Sequence, residues 1–165
     1  MTEYTVFDLS GIHYNYQPGE PALSDINWRI SAGERAIILG PNGSGKSTLQ
    51  KIMAGLIFPA RGRFLAFGQE ITQEAMRDKT FAAAFRRKVG FVFQNSDVQL
   101  FCASVRDEIM FGPLTMGLSL SEARERAEDL LELFGLAALA DRLPHHLSGG
   151  RSEEHTSELQ SHHDL

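Results

Sequence analysis

The 165 residues contain a single cysteine, Cys102. An intrachain disulfide is therefore excluded, and the chain suits a reducing compartment. No apolar run approaches the roughly 20 residues that a membrane span needs. The opening MTEYTVFDLSG lacks the basic-then-apolar layout of a secretory signal. Basic charge is also scarce. A net charge of −5 argues against a general nucleic-acid binder, which carries a basic face. The acidity is concentrated: residues 151–165 hold one arginine and four carboxylates, while the preceding residues carry a net of only −2. Neither an internal repeat nor a low-complexity linker interrupts the chain. These absences leave one soluble domain with a sizeable core. Any service to a membrane would run from the cytoplasmic side, through another chain.

Strand and helix patterns alternate along the sequence. Thr5 to Tyr16 is rich in β-branched and aromatic residues and reads as a strand, and Gln17–Pro21 as a turn. Ile26, Trp28 and Ile30 alternate with Asn27 and Arg29, the period of a half-buried strand. Ser31–Gly33 turns the chain again. Ala36–Leu39 is a short continuous apolar run, as is Val89–Phe93, and both predict strands buried on two faces. Leu49, Ile52, Met53 and Leu56 mark one helix face, closed by Gly55. Gly62–Gly68 predicts a further strand and residues 72–87 a helix. Ser119 and Glu122 have the spacing of a capping box, followed by a stripe of Ala123, Ala127, Leu130, Leu131 and Phe134, with Gly135 as the stop. The alternation predicts an α/β domain with a largely parallel sheet.

Between the Ala36–Leu39 run and the first helix stands GPNGSGKST. Residues 40–47 match G-x-x-x-x-G-K-[ST] at every fixed position. The motif acquires meaning from its setting, an apolar run before it and an amphipathic helix after it. Gly40, Gly43 and Gly45 allow the backbone to turn its N–H groups inward on a phosphate, with Pro41, Asn42, Ser44 and Thr48 completing the loop. The helix N-terminus adds partial positive charge. Lys46 is expected to reach the β and γ phosphates and the Ser47 hydroxyl to ligate Mg²⁺. A P-loop NTPase binding ATP with Mg²⁺ follows, although kinases, GTPases and motors share the loop.

Other segments narrow the choice. Residues 4–150 resemble the ATP-binding cassette (ABC) family nearly continuously, through GPNGSGKST, YQPGEPALSDINWRISAGE, FVFQN and LSGG. The resemblance implies that Tyr16 stacks on adenine, with Tyr14 as the competing candidate. It also implies that Gln94 is the glutamine of a loop near the metal and the attacking water. By the same resemblance, Ser148, Gly149 and Gly150 contact ATP held by an opposing subunit, although Arg151 stands where the family signature continues with glutamine. A second ATPase subunit and an integral membrane transport subunit are then the expected partners, at the cytoplasmic face of the membrane, without nucleic acid. The stretch Phe93–Ser119 is similar to the ATPase subunits of energy-coupling-factor and cobalt or nickel importers, with Ser96 and Val98 departing from the usual FQNPDDQLF. His145 and His146 read as solvated loop residues, Arg86, Arg87 and Lys88 as a solvated helix end, and Cys102 as a small core residue.

The fold expected is thus an α/β ABC ATPase core, residues 1–94, with the start of a helical signature subdomain, residues 95–150. An apolar strand ending in Asp-Glu, which the family places after its signature, has no counterpart after Gly150. Glu153, Glu154 and His155 are no replacement for it. Residues 151–165 resemble the translated read-through of a sequencing-library adapter, so native sequence is expected for residues 1–150 and an artefact beyond. Without the strands that would follow, Ala36–Leu39 is expected to leave an exposed apolar edge. Two other readings stand beside the importer ATPase: a nucleotide-binding fragment without turnover, and a soluble cassette protein of translation or DNA repair.

Overall fold

The computed structural model describes residues 4–94, 99–145 and 147. The chain divides into two units, residues 1–91 and 92–165.

In the first unit, strand β1 (Thr5–Gln17) turns at Pro18-Gly19 into β2 (Glu20–Ser31). After the loop and helix α1 (Lys46–Met53) come β3 (Arg61–Ala66) and the short β4 (Gln69–Glu70). All pairings are antiparallel, in the order β2-β1-β3-β4. The register sets Leu9 opposite Trp28 on one side and Phe64 on the other. Leu9, Ile12 and Phe64 are buried, and with Leu49 and Ile52 of α1 they form the core on which the phosphate loop stands. Fully burying one such side chain stabilises by about 2 kcal/mol. A turn at Ala75–Arg77 leads into α2 (Lys79–Arg86), whose Asp78 cap accepts from the amides of Thr80 and Phe81. The helix expected over residues 72–87 is therefore a 3₁₀ turn and a short helix.

The predicted parallel sheet is not found among the described residues. Residues 36–39 and 89–93 belong to no strand of the described sheet. A strand requires a neighbour to take its N–H and C=O groups, and among the described residues the 36–39 run has no ladder partner. Only one side of the 36–39 run is covered: Ile38 packs against the core, whereas Ile37 is 82% exposed and Leu39 is 87% exposed. Among the described residues neither flank of the expected edge joins the sheet.

The second unit contains α3 (Val105–Thr115) and α4 (Leu120–Leu133). Helix α3 has no counterpart in the sequence patterns above; it contains Pro113, and its apolar residues mark no single face. Ser104 caps it through the amide of Asp107. Helix α4 begins with the capping box of Ser119 and Glu122, both halves present. Ser119 hydrogen bonds hold the Glu122 carboxyl below its ordinary value. Ala123, Ala127 and Leu131 of the expected stripe are fully buried, whereas Leu130 and Phe134 are exposed. Arg106 of α3 joins Glu128 at 2.7 Å and Asp141, fastening α3 to α4 and to the segment after the 137–139 turn. Cys102 is half-buried rather than a full core residue. Burial, then the Glu108 carboxylate that accepts its amide, pushes its thiol up.

Candidate nucleotide-binding site

The candidate site lies in the first unit, where the chain leaves Leu39 and enters α1. Gly45 is the residue before the helix, in the left-handed region at φ 87°. That conformation suits glycine, and space demands it as well: a Cβ there would lie 2.4 Å from the Ala22 carbonyl oxygen of β2. Gly43, at φ 83°, has the same backbone requirement but open space around it. At Gly40 a Cβ would meet the Ser44 hydroxyl at 2.7 Å. The loop therefore curls closely on itself and rests directly on β2, which fixes its position relative to the core.

Lys46 turns back across this curl. Its ammonium donates to the carbonyl oxygens of Gly40 at 2.7 Å and Pro41 at 2.6 Å. The positive charge thus sits inside the ring of loop residues, beside the first turn of α1, whose amides have no intrahelical acceptor. Donors and positive charge converge there, the chemistry that recognises a phosphate. Pro41, Asn42 and Ser44 complete the exposed rim, and Ser47 presents its hydroxyl from the exposed side of the first helical turn. A hydroxyl oxygen is a donor of the type that Mg²⁺ selects. Among the described residues no group of three His, Cys, Asp or Glu side chains could hold a metal ion by itself.

Thr48 differs from its neighbours. It is 6% exposed, and its hydroxyl lies 3.2 Å from the Tyr16 hydroxyl on β1. Tyr16 is 59% exposed and meets Tyr14 edge-to-face, with ring centroids 5.0 Å apart. The structure thus brings together Tyr16, the loop from Gly40 to Ser47, and Thr48. Tyr14 is half-buried against the core and contacts the more exposed Tyr16 ring. The Tyr16–Thr48 bond itself was not legible in the sequence, since two hydroxyls 32 positions apart carry no pairing signal. Gln94 belongs to the second unit, exposed at a turn, and its metal role rests on the resemblance alone. Ser148, Gly149 and Gly150 lie outside the described residues.

Comparison with known proteins identifies the family. The family model described as ABC transporter matches residues 23–155. The nickel import ATP-binding protein NikO of Rhodobacter capsulatus is 48% identical over 147 residues, which are 89% of this chain and 58% of that protein. An energy-coupling factor transporter ATP-binding protein of Methanothermobacter thermautotrophicus is 40% identical over 90% of this chain and 46% of its own length. The chain thus spans about half the length of these curated relatives. Among solved structures, CbiO1 of Clostridium perfringens, part of an ABC transporter complex, aligns with a TM-score of 0.68 and 37% identity over 84% of this chain and 54% of that one. A bacterial ABC transporter cassette solved as a dimer aligns with a TM-score of 0.72 and 30% identity, over 87% of this chain and 64% of that one. Among the described residues no helix is long and apolar enough to cross a membrane. With its phosphate loop, its α/β architecture and these similarities, the chain belongs to the ABC transporter family and is similar to ATP-binding proteins of nickel and energy-coupling-factor systems.

Proposed function

We propose that this chain is the nucleotide-binding part of an importer ATPase, binding Mg²⁺-ATP at residues 40–48 and coupling it to movement of a small solute of the metal-ion or vitamin class. The observation that carries the reading is the Lys46 ammonium held within the glycine-rich curl at the start of α1. Two neutral carbonyls are weaker partners for an ammonium than phosphate oxygens. Lys46 accordingly exchanges them for the β and γ phosphates, while loop amides and the Ser47 hydroxyl orient the remaining oxygens and the ion. When bound, ATP supplies a transferable phosphoryl group and Mg²⁺ offsets its charge. Tyr16 offers its ring to the adenine, where stacking is tolerant of base identity.

The same reading gives Gln94 a place near the metal and the attacking water. It assigns Ser148, Gly149 and Gly150 to a nucleotide held by a second ATPase subunit, so that one copy contributes half of each site. Two such subunits would work against an integral membrane transport subunit, at the cytoplasmic face. The dimeric relative and the transporter names of the similar proteins support this assembly.

A second reading is nucleotide binding without turnover. Phosphate release measured on this chain and on the protein encoded by the full gene separates the two. Turnover by the full gene product alone supports the importer ATPase, and its failure to hydrolyse ATP overturns it. Reading the genomic sequence across the Gly150 codon tests the adapter resemblance of residues 151–165. A glutamine followed by an apolar strand ending in Asp-Glu supports it, and persistence of RSEEHTSELQS removes it.

A further inference from the structure

The hydrogen bond between Tyr16 and Thr48 links two places that nucleotide recognition must keep in register. Tyr16 stands on β1, more than half exposed, where a tyrosine ordinarily turns among several rotamers. Thr48 lies in the first turn of α1, two residues after Lys46, and is almost wholly buried. A threonine at such a position commonly returns its hydroxyl to a carbonyl of the preceding turn. Here the Thr48 hydroxyl is 3.2 Å from the Tyr16 hydroxyl. At its other end the Tyr16 ring meets Tyr14 at 5.0 Å and 81°. The exposed ring is thus held at its tip by the helix that carries the phosphate loop and at its side by a neighbour rooted in the core.

We propose that Thr48 is a positioning residue for base recognition: through its hydroxyl it fixes the Tyr16 ring at a set distance from the phosphate loop. The proposal rests on the reading of Tyr16 as the adenine platform. Its physical content is preorganisation. An unrestrained tyrosine would lose rotamer freedom when a base settled on it, and the Thr48 bond removes that cost beforehand. Base binding and phosphate binding then share one rigid connection, from β1 through Thr48 to α1.

The test compares the affinity of the 165-residue chain for Mg²⁺-ATP with its affinity for inorganic tripolyphosphate, which engages the loop without a base. The preference for ATP is the readout. Tyr16→Phe keeps the ring and loses the hydroxyl, and Thr48→Val keeps the shape of Thr48 and loses its hydroxyl. Each is expected to lower the preference by about fivefold, the factor that one hydrogen bond of ordinary net strength supports. The double variant loses no more than either single one, and Thr48→Ser restores the preference. Any loss of phosphate contact at Thr48 itself affects both ligands and cancels from the ratio. Melting temperatures measured alongside separate this effect from general loosening of the fold. If Tyr16→Ala abolishes the preference while Tyr16→Phe leaves it intact, the positioning role is overturned and base stacking survives. If Tyr16→Ala also leaves the preference intact, the adenine platform fails, and the positioning role fails with it.

Discussion

A Cβ placed on Gly45 would lie 2.4 Å from the carbonyl oxygen of Ala22. The residue that starts α1 therefore rests on the backbone of β2, and the phosphate loop takes its position from the antiparallel sheet. Gly43 shares the left-handed backbone of Gly45, but a methyl group there would have nothing within 4 Å. The two glycines are thus separable. Gly43→Ala should cost about 1 kcal/mol of stability, the strain of a side chain in the left-handed region. Gly45→Ala should cost about 3 kcal/mol or more, because a backbone carbonyl cannot rotate out of the way. Denaturant melts of the two variants check the difference, and equal costs would show that β2 does not brace the loop.

The exposed run before the loop governs behaviour at high concentration. Ile37 and Leu39 are 82% and 87% exposed, on an apolar segment whose backbone pairs with no described strand. Such a segment is a template for another chain. Ile37→Thr with Leu39→Ser should raise the concentration at which the protein associates, without lowering its melting temperature, since neither side chain contributes to the core. Light scattering across a concentration series reads the effect. Unchanged association would move the source elsewhere.

How far the sequence foretold this differs by element, for physical reasons. The hairpin of β1 and β2, helix α1 and the capped start of α4 depend on local signals: alternation, a Gly-rich N-terminus, a capping box. They appear where those signals stand. Ala36–Leu39 and Val89–Phe93 have strand composition, but ladder formation depends on neighbouring strands that composition does not specify. Helix α3 carries Pro113 within it, a residue without an N–H for the helical ladder, and its apolar residues give no helix-period stripe. At the site, the phosphate loop was legible residue by residue because a single stretch of backbone forms it. The Tyr16–Thr48 bond arises only when β1 and α1 pack together, and no spacing in the chain announces it.

The capping box of α4 gives a pH dependence with a definite sign. Hydrogen bonds from Ser119 lower the Glu122 pKa in the folded chain, so the unfolded state holds more protons on this group as the solution becomes acidic. Its contribution is present above the unfolded glutamate value and is lost as pH falls through the lower, folded value. The stability advantage of the native chain over Glu122→Gln should therefore be constant near neutrality and vanish on acidification. Ser119→Ala should cost about 1 kcal/mol at neutral pH, in the usual range for an N-cap. Thermal melts of the three proteins from neutral to acid pH measure both effects. An advantage over Glu122→Gln that persists in acid would contradict the capping role.

The central claim is that Lys46, drawn into the loop by the carbonyls of Gly40 and Pro41, is the phosphate-binding cation of an ATP site. Among the described residues its ammonium bonds to the loop carbonyls of Gly40 and Pro41, so removing it should spare the fold. The most direct measurement is calorimetric titration of Mg²⁺-ATP into the native chain and into Lys46→Ala, with melting temperatures in parallel. Saturable binding to the native chain is expected, with a loss of about 100-fold in the variant, as for removal of a charge-assisted contact, and unchanged melting. Equal ATP affinity in the two proteins would contradict the claim.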